Sequence, residues 1–160
     1  MKTTKEQADE NIHNNIVENL QTLLKENYDA EKIYKQSIES TENIQLKRFL
    51  QNQALQRNRF ANELTQEIIA LNEKPEDSGT FAGDLRRAWA GLKNALTADN
   101  EEVILNEAIN GEKSSAEEYE NVLRNTNFPP RIRQLIQSQA GEINHTLTEV
   151  KTFKDIIKDM

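Results

Sequence analysis

The stretch KPEDSGTFAGDLRRAWAGLKNAL (residues 74–96) decides the fold, because it separates two pairs of long helical patterns. Its first part, KPEDSG, contains the Pro and Gly that interrupt a helix, so the preceding pattern ends near Glu73. Asp84 is then expected to cap a shorter crossover helix over about residues 84–97. The apolar stripe of that helix is Leu85, Trp89, Leu92 and Leu96. The whole connection is about twenty-five residues long, far beyond an ordinary link between helices.

Four long helices flank this connection. Apolar residues recur at steps of three and four, as at Ile16, Leu20 and Leu23, and predict helices over about residues 10–39, 42–73, 100–126 and 129–158. The expected N-caps are Ser40 or Thr41 for the second helix and Asp99 or Asn100 for the third. Two hairpins joined by one long crossover are typical of the up-down-down-up bundle of ferritin-like proteins. We therefore predict an all-α, ferritin-like four-helix bundle with a short crossover helix, in one domain of residues 1–160.

The composition agrees with helices whose outer faces are solvated. Charged residues make up 29% of the chain and hydrophobic ones 36%, and only five Gly and three Pro occur in 160 residues, so we expect no sheet. A net charge of −7 argues against a nucleic-acid partner, which would need a concentrated basic face. No apolar run has transmembrane length and the start is too polar for a signal peptide. We expect a cytoplasmic protein without a membrane partner.

The two halves of the chain repeat short patterns. DAEK (residues 29–32) is matched by NGEK (residues 110–113), and a tyrosine follows each, Tyr34 and Tyr119. QNQA (residues 51–54) is matched by QSQA (residues 137–140). These matches predict a pseudo-twofold pair of helical hairpins.

Several polar residues fall inside the apolar stripes. Counting about 100° per residue, Glu31 lies in the middle of the stripe of the first helix and Glu112 in the middle of that of the third. Buried carboxylates need partners, so these residues predict a polar layer inside the bundle. Its predicted members are Glu31, Gln53, Arg57, Glu112, Gln139, Tyr34 and Tyr119. The tyrosines are expected to be core residues whose hydroxyls join the layer.

Arg57 offers a counter-charge for the two glutamates. A guanidinium is always charged and carries several donors, so it can bridge two carboxylates. We therefore expect Arg57 to neutralise Glu31 and Glu112. Trp89 is expected to anchor the crossover helix.

A metal centre is the alternative explanation for the buried acids. GEINHTL (residues 141–147) contains Glu142-x-x-His145, the spacing that di-iron bundles use, and Glu31 and Glu112 would complete half a site. However, His145 lies about 140° from the centre of its stripe. The second helix has Gln53-x-x-Gln56 where such proteins have Glu-x-x-His, and amides are weak ligands. No cofactor is favoured, and iron or manganese bound by Glu31, Glu112, Glu142 and His145 stays the alternative.

The segments DAEKIY, RNRFANEL, KPEDSGTFAGDLRRAWAGLKNAL and NGEKSSAEEY resemble a bacterial family of ferritin-like proteins of unknown function. The resemblance covers nearly the whole chain, from about Ile16 to Phe153, and the crossover is its most specific part. It implies a cytoplasmic ferritin-like bundle without an established enzymatic activity, associated with stress responses.

These observations predict a non-catalytic bundle with a structural or partner-binding role. The alternative is a carboxylate-bound di-iron or manganese protein with oxidase or storage chemistry. Apolar residues at the solvent edge of the helices, such as Leu55 and Ile69, indicate a second contact surface, as in a homo-oligomer.

Overall fold

The computed structural model describes residues 1–76, 83–95 and 100–158, without the side chains of residues 83–88 and 156–158. The helices are α1 (Thr4–Ile38), α2 (Ile44–Ala70), α3 (Gly83–Ala95), α4 (Glu101–Asn125) and α5 (Pro130–Lys158). The described ranges contain no strand, which confirms the all-α prediction for them. None of the described helices combines the length and hydropathy that a membrane crossing needs. The predicted cap Asp84 and the stripe positions Leu85 and Leu96 lie outside the described side chains.

The first helix begins earlier than the sequence pattern predicts. It starts at Thr4 rather than near residue 10, because Thr3 and Glu6 form a capping box. The Thr3 hydroxyl accepts a hydrogen bond from the Glu6 backbone N–H at 3.1 Å, and the Glu6 carboxylate accepts one from the Thr3 N–H at 3.2 Å. Such reciprocal bonds stabilise a polar first turn that apolar periodicity does not reveal.

The N-cap of the second helix also differs from the prediction. Asn43 is the cap, and its Oδ1 accepts from the Leu46 backbone N–H at 3.0 Å. Ser40 and Thr41 were predicted, but Thr41 lies in the link between the helices, where its hydroxyl accepts from the Asn43 N–H at 3.1 Å. At the start of α4, Asn100 is the cap and accepts the backbone N–H three residues on at 3.2 Å.

Cross-helix hydrogen bonds define the directions of the helices. In two pairs of helices, the residue numbers rise along one helix as they fall along the other. The α1–α4 contacts are Tyr34–Glu112 and Asn27–Tyr119, and the α2–α5 contacts are Gln53–Thr146 and Phe60–Gln139. Both pairs are therefore antiparallel, and short links join α1 to α2 and α4 to α5.

Two apolar clusters fill the bundle, and charged residues lie between them. The first cluster includes Tyr34, Leu50, Trp89, Leu105 and Val150, and the second includes Leu20, Phe60, Tyr119, Ile136 and Ile143. Arg57 on α2, Glu112 on α4 and Glu26 on α1 each fall between the members of the two clusters on their own helix. The candidate site is this polar layer across the middle of the bundle.

Candidate functional site

Arg57 is the centre of the polar layer and has no solvent exposure. Its Nη2 donates to Glu112 Oε2 at 2.8 Å and to the Ser115 hydroxyl at 3.0 Å, while Nη1 donates to Asn27 Oδ1 at 3.0 Å. Burial by itself would lower the pKa of Arg57, but the carboxylates of Glu112 and Glu26 raise it above its ordinary range. The guanidinium is therefore a permanent buried cation held by side chains from two other helices.

Glu112 is the main counter-ion, and both of its oxygens have donors. Its Oε2 accepts from Arg57, and its Oε1 accepts from the Tyr34 hydroxyl at 2.5 Å. Burial raises the pKa of Tyr34, and the negative charge of Glu112 raises it further, so this hydroxyl stays a neutral donor. Glu112 itself has no exposed surface. A buried ion pair is stable only if the remaining polar atoms of both groups are also hydrogen-bonded, and both oxygens of Glu112 have such donors.

Trp89 packs against the same cluster from the crossover helix. Its ring lies 5.4 Å from the Arg57 guanidinium carbon and meets the Tyr34 ring edge to face, with centroids 5.4 Å apart. Gly111 on α4 makes room for the indole, because a Cβ at this position would lie 2.8 Å from the ring atoms of Trp89. Trp89 thus fixes α3 to the polar layer, and the glycine of NGEK permits its close approach.

Glu26 is a member of the layer that the sequence analysis missed. Its side chain has no exposed surface, and neither carboxyl oxygen has a hydrogen bond of ordinary geometry among the described residues, although the Ser115 hydroxyl lies close enough to lower its pKa. The nearest cation is Arg57, with Nη1 3.8 Å from Glu26 Oε1. Burial raises the pKa of Glu26 to about 8, although the Arg57 charge opposes this shift. The layer therefore contains a second enclosed carboxyl group, and burial favours its protonated form.

Tyr119 extends the layer toward α5. Its hydroxyl donates to Gln139 Oε1 at 2.7 Å and accepts from Asn27 Nδ2 at 2.9 Å. Gln139 Nε2 in turn donates to the Phe60 carbonyl oxygen at 3.3 Å and to Glu63 at 3.1 Å. Burial raises the pKa of Tyr119 above its usual range. A continuous chain of hydrogen bonds therefore runs from Arg57 through Asn27 to the fourth long helix.

Gln53 belongs to a separate pair of contacts between α2 and α5. The Thr146 hydroxyl lies 3.1 Å from Gln53 Oε1 and 3.3 Å from Gln56 Oε1. Gln53 and Thr146 are buried, so the hydroxyl satisfies an amide oxygen that would otherwise lack a donor.

Glu31 is not a partner of Arg57, which corrects the sequence-based expectation. Its carboxylate accepts from Asn58 Nδ2 at 3.2 Å and lies 2.6 Å from the ammonium group of Lys35. The side chain of Lys35 is 62% exposed. Glu31 is nevertheless buried, as its stripe position predicts, with 8% of the residue exposed. It lies at the edge of the contact between α1 and α2, where Asn58 and Lys35 compensate its charge. Glu31 and Glu112 occupy the same position in the repeated patterns DAEK and NGEK, but their interaction partners differ.

The residues of the metal alternative do not converge. Glu112 binds Arg57, Glu142 pairs with Arg59 at the surface, and the side chain of His145 is 74% exposed. Among residues 1–76, 83–95 and 100–158, no group of three or more His, Asp or Glu side chains is arranged to hold a metal ion. In this arrangement the four residues named from the sequence have other partners or face solvent, and they do not lie in one site.

The members that the sequence analysis missed do carry a positional signal. Glu26 lies three residues after Leu23 and four before Ala30, which places it on the buried stripe of α1. Ser115 and Thr146 have the same kind of position on α4 and α5. Asn27, which was not predicted either, follows Glu26 and is also fully buried. Surface-like residue types, rather than spacing, concealed these four residues.

Comparison of the sequence with models of protein families identifies one matching family. A family model described as a domain of unknown function, DUF2383, matches residues 15–125. The chain belongs to the DUF2383 family. The DUF2383 match contains Glu26, Asn27, Arg57, Trp89 and Glu112, whereas α5 lies beyond it. This confirms the prediction of a family of unknown function.

No curated protein and no solved structure matches this DUF2383 chain.

Proposed function

We propose that the chain is a non-catalytic, ferritin-like helical bundle with a structural or partner-binding role. One observation carries this proposal: the fully buried Arg57 supplies the counter-charge of the enclosed Glu112 at 2.8 Å. Asn27, Ser115 and Tyr34 complete the hydrogen bonding of the pair. A carboxylate so occupied has no oxygen directed at an open position, which a catalytic or metal-binding carboxylate would need.

The helix directions support the ferritin-like part of the proposal. In an up-down-up-down bundle α1 and α4 would be parallel, because one helix of opposite direction separates them. The contacts of Tyr34 with Glu112 and of Asn27 with Tyr119 instead require antiparallel helices, and α2 and α5 are antiparallel for the same reason. This is the order up-down-down-up, in which one long connection crosses the bundle.

The alternative function is that of an iron or manganese protein with oxidase or storage chemistry. It would need Glu31, Glu112, Glu142 and His145 to leave their present partners and to meet in one site. Arg57 argues against this, since a buried guanidinium beside Glu112 repels a divalent cation and competes for its oxygens.

Elemental analysis tests the proposal. Protein purified without chelator and without a His-tag is expected to contain iron and manganese only far below one equivalent. The matched control is the Glu31→Gln/Glu112→Gln variant, because metal that remains in it is bound elsewhere. Near-stoichiometric iron or manganese in the unmodified chain, lost in this variant, would overturn the proposal.

Other parts of the interpretation stay predictions from the sequence. They are the single domain of residues 1–160, the cytoplasmic location, the absence of a nucleic-acid partner, and the bacterial, stress-associated role that the resemblance implies.

A further inference from the structure

The outer face of α2 exposes three large apolar side chains. Ile44 is 72% exposed, Leu55 68% and Ile69 51%. At about 100° per residue, they lie within about 40° of one another around the helix axis. With Gln51 and Asn62 between them they form one line along the helix, which we call the α2 stripe. Exposed apolar residues aligned over a whole helix differ from the scattered ones that are normal on a surface.

The outer residues of the α2 stripe are arranged symmetrically along the helix, with an isoleucine at each end and an amide inside each isoleucine. Ile44 and Ile69 are equally far along α2 from the midpoint between Gln56 and Arg57, and so are Gln51 and Asn62. If a second copy of α2 lay antiparallel across this midpoint, each isoleucine would face an isoleucine and each amide an amide. Such self-complementarity is the requirement for an interface with twofold symmetry.

The charge of the α2 stripe also suits a second copy. The chain has 27 acidic and 20 basic residues. Nevertheless, every α2 position within about 40° of Leu55 is apolar, an amide or an arginine. Two copies of this acidic protein can approach each other through this face without bringing α2 carboxylates together, and Glu31 of the adjoining α1 is paired with Lys35.

A groove lies beside Leu55 at the centre of the α2 stripe. It has a volume of about 490 Å³ and runs between α1 and α2. Its lining combines apolar side chains, Ile38, Ala54 and Leu55, with polar ones that include Glu31, Lys35 and Asn58. In the antiparallel arrangement Leu55 of one copy faces Asn58 of the other, since both are equally far from the midpoint. Each Leu55 would therefore enter the groove of the opposite copy, as a knob enters a hole.

We propose that the α2 stripe is the interface of a symmetric homodimer, in which α2 of one copy packs antiparallel on α2 of a second copy. The helix has 27 residues and is about 40 Å long, which is enough for the extended contact that specific dimers use. The dimer proposal does not depend on the polar layer around Arg57. An experiment that refutes the dimer therefore leaves the proposed function intact, and the reverse also holds.

Sedimentation equilibrium over a range of protein concentrations is the first test. The unmodified chain is expected to show a monomer–dimer equilibrium, and Leu55→Glu is expected to weaken the dimer by about tenfold or more. Val103→Glu is the matched control, because Val103 is an exposed apolar residue on α4, outside the α2 stripe. It should leave the equilibrium unchanged. Circular dichroism of both variants verifies the fold.

Disulfide trapping tests the direction of the helices. The chain contains no cysteine, so each introduced thiol is unique. An equimolar mixture of Ile44→Cys and Ile69→Cys chains should form disulfide-linked mixed dimers under mild oxidation, in higher yield than either chain alone. The pair Gln51→Cys and Asn62→Cys should behave in the same way, because it has the same midpoint.

Three results would overturn the proposal. The first is an unmodified chain that stays monomeric up to its solubility limit. The second is a dimer that Leu55→Glu and Val103→Glu affect equally. The third is trapping of Ile44→Cys with itself as efficiently as with Ile69→Cys, which would mean parallel or unspecific contact.

Discussion

The Arg57 guanidinium donates to the Glu112 carboxylate at 2.8 Å, and neither side chain has any exposed surface. The two residues come from different helices of the bundle, α2 and α4, so their attraction joins its two hairpins. An enclosed pair of this kind is sensitive to the loss of one partner, because the remaining charge is then buried alone.

Arg57→Met should destabilise the protein by about 3 to 5 kcal/mol, because it leaves Glu112 without its counter-charge. Urea unfolding followed by circular dichroism would measure this. The matched control is Arg59→Met two residues on, where the side chain is 47% exposed and the change should cost less than about 1 kcal/mol. Arg57→Met combined with Glu112→Met should regain much of the lost stability, since no unpaired charge is left. Equal stability of the two single variants would refute the ion-pair interpretation.

Glu112→Gln and Glu31→Gln should differ sharply, although the sequence repeat relates the two residues. The first leaves a buried guanidinium without its main counter-ion and should cost about 3 kcal/mol. The second removes a pair with Lys35, whose side chain is 62% exposed, and should cost less than about 1 kcal/mol. Unfolding midpoints in urea provide the comparison. Similar losses in the two variants would mean that Glu31 also compensates the charge of Arg57.

Glu26→Gln should change the dependence of stability on pH. Burial raises the pKa of Glu26 to about 8 in the folded state, whereas its unfolded value is 4.5. Between these values the folded chain holds a proton that the unfolded chain has released, so stability falls as pH rises. The slope is at most about 1.4 kcal/mol per pH unit, and the stabilising contribution is complete only below pH 4.5.

The measurement is a series of urea unfolding curves from pH 5 to pH 8. The amide variant should lose less stability over this range than the unmodified chain, because glutamine does not titrate. Glu120→Gln, at a side chain that is 70% exposed, is the control and should keep the original slope. Parallel curves for the unmodified chain and Glu26→Gln would show that Glu26 does not carry the buried proton.

Gly111→Ala and Gly141→Ala should have opposite effects. A Cβ at Gly111 would lie 2.8 Å from the Trp89 ring, so the helix or the indole must move, with a cost of about 1 to 3 kcal/mol. Gly141 has open space around the added methyl group, and alanine should stabilise α5 there by up to about 1 kcal/mol. Thermal unfolding of the two variants would show the difference in sign. Stabilisation by both would contradict the close contact between Trp89 and α4.

The sequence predicts the helices well because their stability comes from long apolar stripes. Periodicity also places polar residues such as Arg57, Glu112 and Gln139 on buried faces, where the structure has them. Helix ends are less predictable. The N-cap of α2 depends on one hydrogen bond, which Asn43 accepts, and the nearby Ser40 and Thr41 are residue types that could accept it equally well.

The sequence predicts which residues belong to the polar layer better than it predicts which of them contact one another. A stripe position fixes an angle on one helix, whereas the partner depends on the neighbouring helix. Glu31 and Glu112 have similar positions by this count, yet one meets Lys35 and the other Arg57. Glu26 was missed because an acidic residue between Lys25 and Asn27 looks like a surface residue. Its spacing from Leu23 and Ala30 nevertheless places it on the buried stripe of α1.

The packing of Trp89 on Arg57 has a practical consequence. It is the sole tryptophan of the chain and lies 5.4 Å from the buried guanidinium. Indole emission responds to nearby charge and to water, so this one fluorophore reports on the electrostatic state of the interior without any label. The molecule thus contains its own optical probe for the part of it that is hardest to reach by other means.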